Sequence, residues 1–500
     1  MQVSTRGLLN VVLALLSVVS IDAAQTAPHL VYGTYLGGRD KECATGIAVD
    51  RSGSAYVVGR TPSSDFPVTP GAFITKTQVN NNDWTGFVSK ISKGGDHLLY
   101  SSFLGGNFRS SANAIAVDSA GRAAIGGSTC SSNFPTTRSA MLQKAAGSDK
   151  VDACDGFLAL LNPEGSQLEY GTYLGGSRED AATAVAFARS SNVVYVAGYT
   201  FSPDFPVTGT AFQPKLNGVS NGFLSAIDIG SGKLLYSTYL GGTGHDRITA
   251  LAVASNGAVY ASGITDSQSW PNLPLRRFGT TGATDGFVVR LDPTGKEPPY
   301  GMRIGGSGDE SLTSMALDSE GDIYVVGSTA SPNFPLAGAN LKQIGSGFIM
   351  KINGRKFAGK QSGVMWSRRL GGHGDDALSS VSAAMPRFIF VSGRSGSKDF
   401  PTTKTAIYSR LEAENDSILI QLRASDGQVR FATFVGGTRH PHASWYNDEA
   451  TGVLANANGD VYVTGCTLDN RLPVSRGALQ LKPKGNSEPF VLRMKFQPSE

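Results

Sequence analysis

The sequence predicts an all-β chain: a seven-bladed β-propeller with four antiparallel strands per blade. Three observations carry this. A Gly-Gly pair recurs seven times at spacings of 64 to 70 residues. Every interval holds the same order of short apolar runs and turns. The two ends of the chain carry complementary pieces of one repeat. Self-similarity at a fixed period is the signature of a repeat architecture, and four short strands per unit is the form of a propeller blade.

The repeats follow Tyr35-Leu36-Gly37-Gly38, Phe103-Leu104-Gly105-Gly106, Tyr173-Leu174-Gly175-Gly176, Tyr239-Leu240-Gly241-Gly242, Arg303-Ile304-Gly305-Gly306, Arg369-Leu370-Gly371-Gly372 and Phe434-Val435-Gly436-Gly437. After each pair comes a polar loop, then a first strand such as Gly46-Ile47-Ala48-Val49. A tight turn like Asp50-Arg51-Ser52-Gly53 leads to a second strand, Ala55-Tyr56-Val57-Val58-Gly59. Asp50, Asp118 and Asp318 read as turn formers. A long loop follows, with Phe66-Pro67, Phe134-Pro135, Phe205-Pro206, Leu273-Pro274, Phe334-Pro335, Phe400-Pro401 or Leu472-Pro473. There Pro rigidifies the loop start and Phe is expected to pack between blades. A third strand usually opens on Gly-Phe, as at Gly86-Phe87, and a fourth runs into the next Gly-Gly. β-Branched and aromatic enrichment with alternation marks these runs as strands, and no segment shows a long helical period. The blade with Met385-Pro386-Arg387-Phe388 lacks the Gly turn, and the last two repeats lack Gly-Phe.

The chain opens on a fourth strand, Leu30 to Leu36, and ends on a third, Phe490 to Phe496. The N-terminal strand is therefore expected to complete the last blade, which closes the ring and covers an edge. The pattern of Tyr236 to Gly242, Ile115 to Asp118 and Tyr324 to Pro335 (Tyr-Val-Val-Gly-Ser-Thr-x-Ser-x-Asn-Phe-Pro) resembles the SBBP family of bacterial seven-bladed β-propeller repeats. That resemblance implies the propeller fold and an exported or surface protein, without implying an activity.

Composition bounds the function. The chain has 500 residues and a net charge of +4, with no basic run, which argues against nucleic-acid binding. Arg6, the apolar run Leu8 to Ile21 and small Ala23, Ala24 and Ala27 read as a signal peptide over residues 1–24, with one propeller domain over 28–497. The mature chain is then exported (periplasmic, cell-surface or secreted), with no membrane span, and a monomer. Four cysteines suit that context. Cys130 and Cys154 close a loop within one blade, and Cys43 and Cys466 sit in the first and last repeats, so two bridges are expected.

Loops before the first strand and after the second share one face, the loop-rich face on which a site is expected. Glu42, Asp180, Asp246, Glu310 and Asp376 each follow the second Gly by four residues, and Glu449 is taken as their match in the last repeat. Only the second repeat breaks this series, with Ser110. Such an acidic ring near the channel mouth either holds a cation, Ca2+ or another divalent ion, or accepts backbone N–H bonds structurally. The last Gly-Gly loop is elaborated, with Arg439, His440, His442, Trp445, Tyr446, Asp448 and Glu449; His245 and His373 lie in equivalent loops. Aromatic, basic and acidic groups together suit a saccharide, and His442 with Glu449 is the candidate pair for general acid and base work. Trp84, Trp270 and Trp366 read as packing or rim residues. No zinc spacing and no Gly-x-Ser-x-Gly elbow occurs.

Three readings follow. The first is a non-enzymatic scaffold binding a polysaccharide or a protein partner through the loop-rich face. The second is a polysaccharide lyase or hydrolase at the channel mouth. The third is a structural surface protein with a cation in its acidic ring.

Overall fold

The computed structural model describes residues 27–79, 83–146, 153–188, 192–271, 273–292, 294, 299–338, 344–436, 448–468 and 470–497. Seven sheets form the blades. Blade 1 runs Cys43–Val49, Ala55–Thr61, Thr85–Ile91 and Leu98–Leu104, in that order from inside to outside. The first strand of each blade lies against that of the next, and Glu449–Ala455 lies against Cys43–Val49. The ring is therefore closed. His29–Tyr35 pairs antiparallel with Glu488–Lys495, so the N-terminal strand is the outermost strand of blade 7, as expected from the ends of the sequence.

Second and third strands are covered on both faces by neighbouring blades, which explains their nearly continuous apolar runs, such as the fully buried Tyr56, Val57 and Val58. The apolar core is thus split into seven layers, one per seam between blades. One layer joins Tyr56, Val58 and Val88 of blade 1 to Ile125 and Phe157 of blade 2. Turn chemistry is as read from the sequence: the Asp50 carboxylate accepts the Ser52 and Ser54 N–H groups at 2.9 and 3.0 Å, and Gly53 takes a φ of 88°.

Each first strand carries a bulge, and the bulged residue ties its blade to the next. Hydroxyls of Thr45, Thr183, Thr249 and Thr313 donate to the carbonyls of Ala112, Ile248, Leu312 and Leu378 at 2.6 to 2.8 Å. The Asn113 amide reaches the Ala182 carbonyl, and Ser379 donates to the Glu449 carboxylate. Thr451 completes the circuit by donating to the Ala44 carbonyl at 2.9 Å. A bulge leaves one residue outside the ladder, and here that residue is spent on ring cohesion.

Two departures from the four-stranded antiparallel unit occur. Blade 4 has a fifth strand, Arg276–Gly279, parallel to Tyr300–Gly305. Blade 5 has a single-turn helix, Gly354–Ala358, before its last strand; Asn353 caps it by accepting the Lys356 N–H at 3.0 Å. One turn is too short to leave a periodic signal in the sequence.

Cys43 is bonded to Cys466 and Cys130 to Cys154, so all four cysteines are used. The first bridge joins blades 1 and 7 across the closing seam. The second pins the loop between the second and third strands of blade 2.

Candidate functional site

In blades 1, 2, 3, 5 and 6 the Phe-Pro loop and the Gly-Gly loop are locked together by the motif Thr/Ser-x-Ser-x-Asp/Asn-Phe. In blade 3, Thr200, Ser202, Asp204 and Phe205 carry it. The Asp204 carboxylate accepts the Ser177 N–H at 2.9 Å, and the Ser202 hydroxyl accepts the Arg178 N–H at 2.9 Å. Asn133, Asn333 and Asp399 do the same for Asn107, Ser307 and His373. The aromatic residue stacks on the third-strand Phe of its own blade, as in Phe66 on Phe87 at 4.5 Å and Phe205 on Phe223 at 4.4 Å. It therefore anchors its loop to its own blade while sitting in the layer shared with the preceding blade, so that Phe packs between blades as expected. The loop-rich face is a rigid rim built from these clamps.

The repeated carboxylates are buried inside the seams, beneath that rim. Glu42, Asp180 and Asp376 are fully buried, and Asp246 and Glu310 nearly so. Asp246 accepts the Gly242 N–H at 2.8 Å, the Thr265 hydroxyl at 2.5 Å, the Ser267 hydroxyl at 2.9 Å and the Asn221 amide at 3.1 Å. Glu310 likewise holds Gly306, Thr329 and Ser331. Glu42 takes the hydroxyls of Thr61 and Ser63. In blade 7 the matching position belongs to Asp448, which is buried and accepts the Leu468 N–H at 2.6 Å. Glu449 stands one residue further on, opposite Cys466, and receives the Ser379 hydroxyl from blade 6.

Each carboxylate meets a polar residue that opens the third strand of the preceding blade. The first Gly of the Gly-Gly pair lies between them. A Cβ on Gly175 would sit 2.5 Å from Asp155 and 2.7 Å from Asp180, which explains the need for Gly. The seam pairs are Glu488 with Glu42, Thr85 with Ser110, Asp155 with Asp180, Asn221 with Asp246, Asp285 with Glu310, and Ser346 with Asp376. Asp416 and Asp448 hold the corresponding positions at the seam of blades 6 and 7. Burial pushes the Glu42 carboxyl up to about 7, helped by the charge of Glu488. It pushes Asp155 to about 7 and Asp180 to about 6. Among the described residues, no three His, Cys, Asp or Glu side chains gather as metal ligands.

Of the elaborated loop, Arg439, His440, His442, Trp445 and Tyr446 lie outside the described residues. His245 and His373 are exposed at loop tips, each with its Nδ1 against a carboxylate of its own blade, Asp266 or Asp399. They stand on blades 4 and 6, each in the Gly-Gly loop of its own blade.

A cavity of about 280 Å³ opens on the loop-rich face at the inner strands of blade 2. Trp84, Arg109, Ser110, Ser111, Ser128 and Glu179 line it, with the Cys130–Cys154 bridge in its wall. Trp84 is held through its carbonyl, which accepts the Ser110 N–H at 3.0 Å. The guanidinium groups of Arg60 and Arg109 lie 5.1 and 5.9 Å from the Trp84 ring. The sequence marks this place only through Ser110, where the carboxylate series breaks.

Comparison with known proteins agrees with the fold. Residues 31–67 match the SBBP Beta-propeller repeat family. The chain is 27% identical over 280 residues to the Regulatory protein FlaEY of Caulobacter vibrioides, a match covering 54% of this chain and 28% of that protein. The chain thus spans about a quarter of that relative's length. A Dyadobacter fermentans protein of unknown function has a TM-score of 0.42 at 11% identity, covering 94% of this chain and all of that one. Chaetomium thermophilum Sqt1 has a TM-score of 0.45 at 11% identity, covering 94% and 99%. The chain is a seven-bladed β-propeller, and its residues 31–67 are similar to the SBBP Beta-propeller repeat.

Proposed function

We propose that the chain is an exported binding scaffold that takes a ligand on its loop-rich face. The observation that carries this reading is the cavity at Trp84 and Arg109, the place on that face where a concave surface combines an aromatic ring, cations and hydroxyls. Its walls are fixed in advance by the loop clamps and by the Cys130–Cys154 bridge, so little ordering is required on binding. Two disulfides that use every cysteine support export, as does the signal-like stretch over residues 1–24. A role exercised through binding is also in keeping with a relative described as a regulatory protein.

Native affinity electrophoresis in gels containing neutral and acidic polysaccharides tests the reading. Retarded mobility of the wild-type chain in at least one gel, relieved by Trp84→Ala, is the expected result. Unchanged mobility in every gel removes a glycan-binding face. Cell fractionation tests export: recovery of the chain only in the cytoplasm, with residues 1–24 still attached, defeats it.

A further inference from the structure

We propose that the seam between blades 1 and 2 is an anion site that takes the carboxylate of an acidic sugar, with Arg109 and Trp84 as its principal contacts. This rests on the loop-face reading above and names its class of ligand.

The repeat itself provides the comparison. Every other seam places at least one carboxylate under its Gly-Gly pair, whereas this one has Thr85 and Ser110. The Ser110 hydroxyl bonds to Thr129 at 2.8 Å, in the role that a carboxylate plays in blades 3 to 6. Beside this acid-free seam stand two cations. The Arg109 Nε is buried and makes no hydrogen bond, and its nearest carboxylate, Asp83, is 4.0 Å away, too far for one. Arg60 has no ion-pair partner among the described residues and rests on Trp84. A buried guanidinium N–H without an acceptor is costly, and an incoming carboxylate relieves it with a charge-assisted bond. The ligand would thus supply the negative charge that the other seams carry in their own chain.

The remaining wall favours a sugar over an acidic peptide. Trp84 offers an aromatic surface, and Ser111 and Ser128 offer hydroxyls. Glu179, fixed by the Tyr199 hydroxyl at 2.9 Å, accepts bonds from sugar hydroxyls on the far side. The cavity is of monosaccharide size, so it suits one residue of a chain.

The test uses the full chain in native gels containing polygalacturonate, a neutral glucan or polyglutamate, at one fixed salt concentration. Retardation by polygalacturonate alone is expected. Ser110→Asp installs the carboxylate that other blades have, and it should weaken apparent affinity by about tenfold or more with unchanged melting temperature. Arg109→Gln, at a half-buried position, should do the same and serves if Ser110→Asp fails to fold. Equal retardation by polyglutamate, or full retention of binding in both variants, overturns the proposal. Retardation by the neutral glucan alone overturns the acidic class while loop-face binding stands. No retardation in any gel overturns both.

Discussion

Arg303 shows how a single residue adapts a repeat. Tyr173 and Tyr239 donate their hydroxyls to the Ser131 and Ser202 carbonyls at 2.7 Å, and in blade 4 Arg303 makes the matching bond to the Ser267 carbonyl at 2.6 Å. It also places its Nε on Asp285, which shares a seam with Glu310. The substitution keeps the structural bond and neutralises an acidic pair. Arg303→Met should therefore cost about 3–5 kcal/mol at neutral pH, read from denaturant unfolding, because it leaves a buried carboxylate pair without its cation. The departure at Arg303 is visible in the sequence, but its reason is not, since Asp285 lies on another strand. Asp448 illustrates the same gap. The bulge circuit identifies Thr451 with Thr45, and counting back three residues from each gives Asp448 and Glu42. Counting along the sequence reaches Glu449, because a bulge has no signature of its own in the residues that form it. Thr249→Val tests that circuit. It leaves the Leu312 carbonyl without its donor and should cost about 1 kcal/mol in unfolding free energy.

Between elements, the seams couple the fold to pH. Glu42 with Glu488 and Asp155 with Asp180 are buried acidic pairs that have no arginine like Arg303 between them. Glu42 Oε2, Asp155 Oδ1 and Asp180 Oδ1 are buried without a hydrogen bond. In the unfolded chain these groups titrate near 4.5 for Glu and 3.8 for Asp, whereas in the fold Glu42 and Asp155 titrate near 7 and Asp180 near 6. The folded state therefore holds protons that the unfolded state releases. Their contribution to stability is complete below about pH 4, declines as pH rises toward 7 and is lost above it. The melting temperature should be higher at pH 5 than at pH 8, and Glu42→Gln, a fixed neutral analogue, should flatten that difference. An equal slope in wild type and variant would assign the effect elsewhere. The recurrence of these carboxylates was legible in the sequence, as was the face their loops occupy. Their burial was not, because the side on which a first-strand residue lies depends on strand register relative to the bulge.

For the whole molecule, closure is the decisive event, and its main device was readable from the complementary ends of the chain. Three features make it: the pairing of His29–Tyr35 with Glu488–Lys495, the Cys43–Cys466 bridge and the Thr451 hydroxyl on Ala44. The bridge spans 423 residues of sequence, so its removal frees a large unfolded loop. Cys43→Ser with Cys466→Ser should lower stability by about 2–5 kcal/mol, measured as the drop in unfolding free energy under non-reducing conditions. Deleting residues 29–35 should expose the Glu488–Lys495 edge and shift the protein toward aggregates in size-exclusion chromatography.

That same pairing imposes a timetable. His29–Tyr35 is made hundreds of residues before its partner Glu488–Lys495 exists. During synthesis the other six blades have all of their own strands while this segment still waits. An apolar strand held in suspense for most of chain elongation is open to capture by any passing edge. Premature termination shortly before residue 488 would thus leave six complete blades, a two-stranded remnant of the seventh and one orphaned ribbon, a product more prone to tangling than to quiet loss of function.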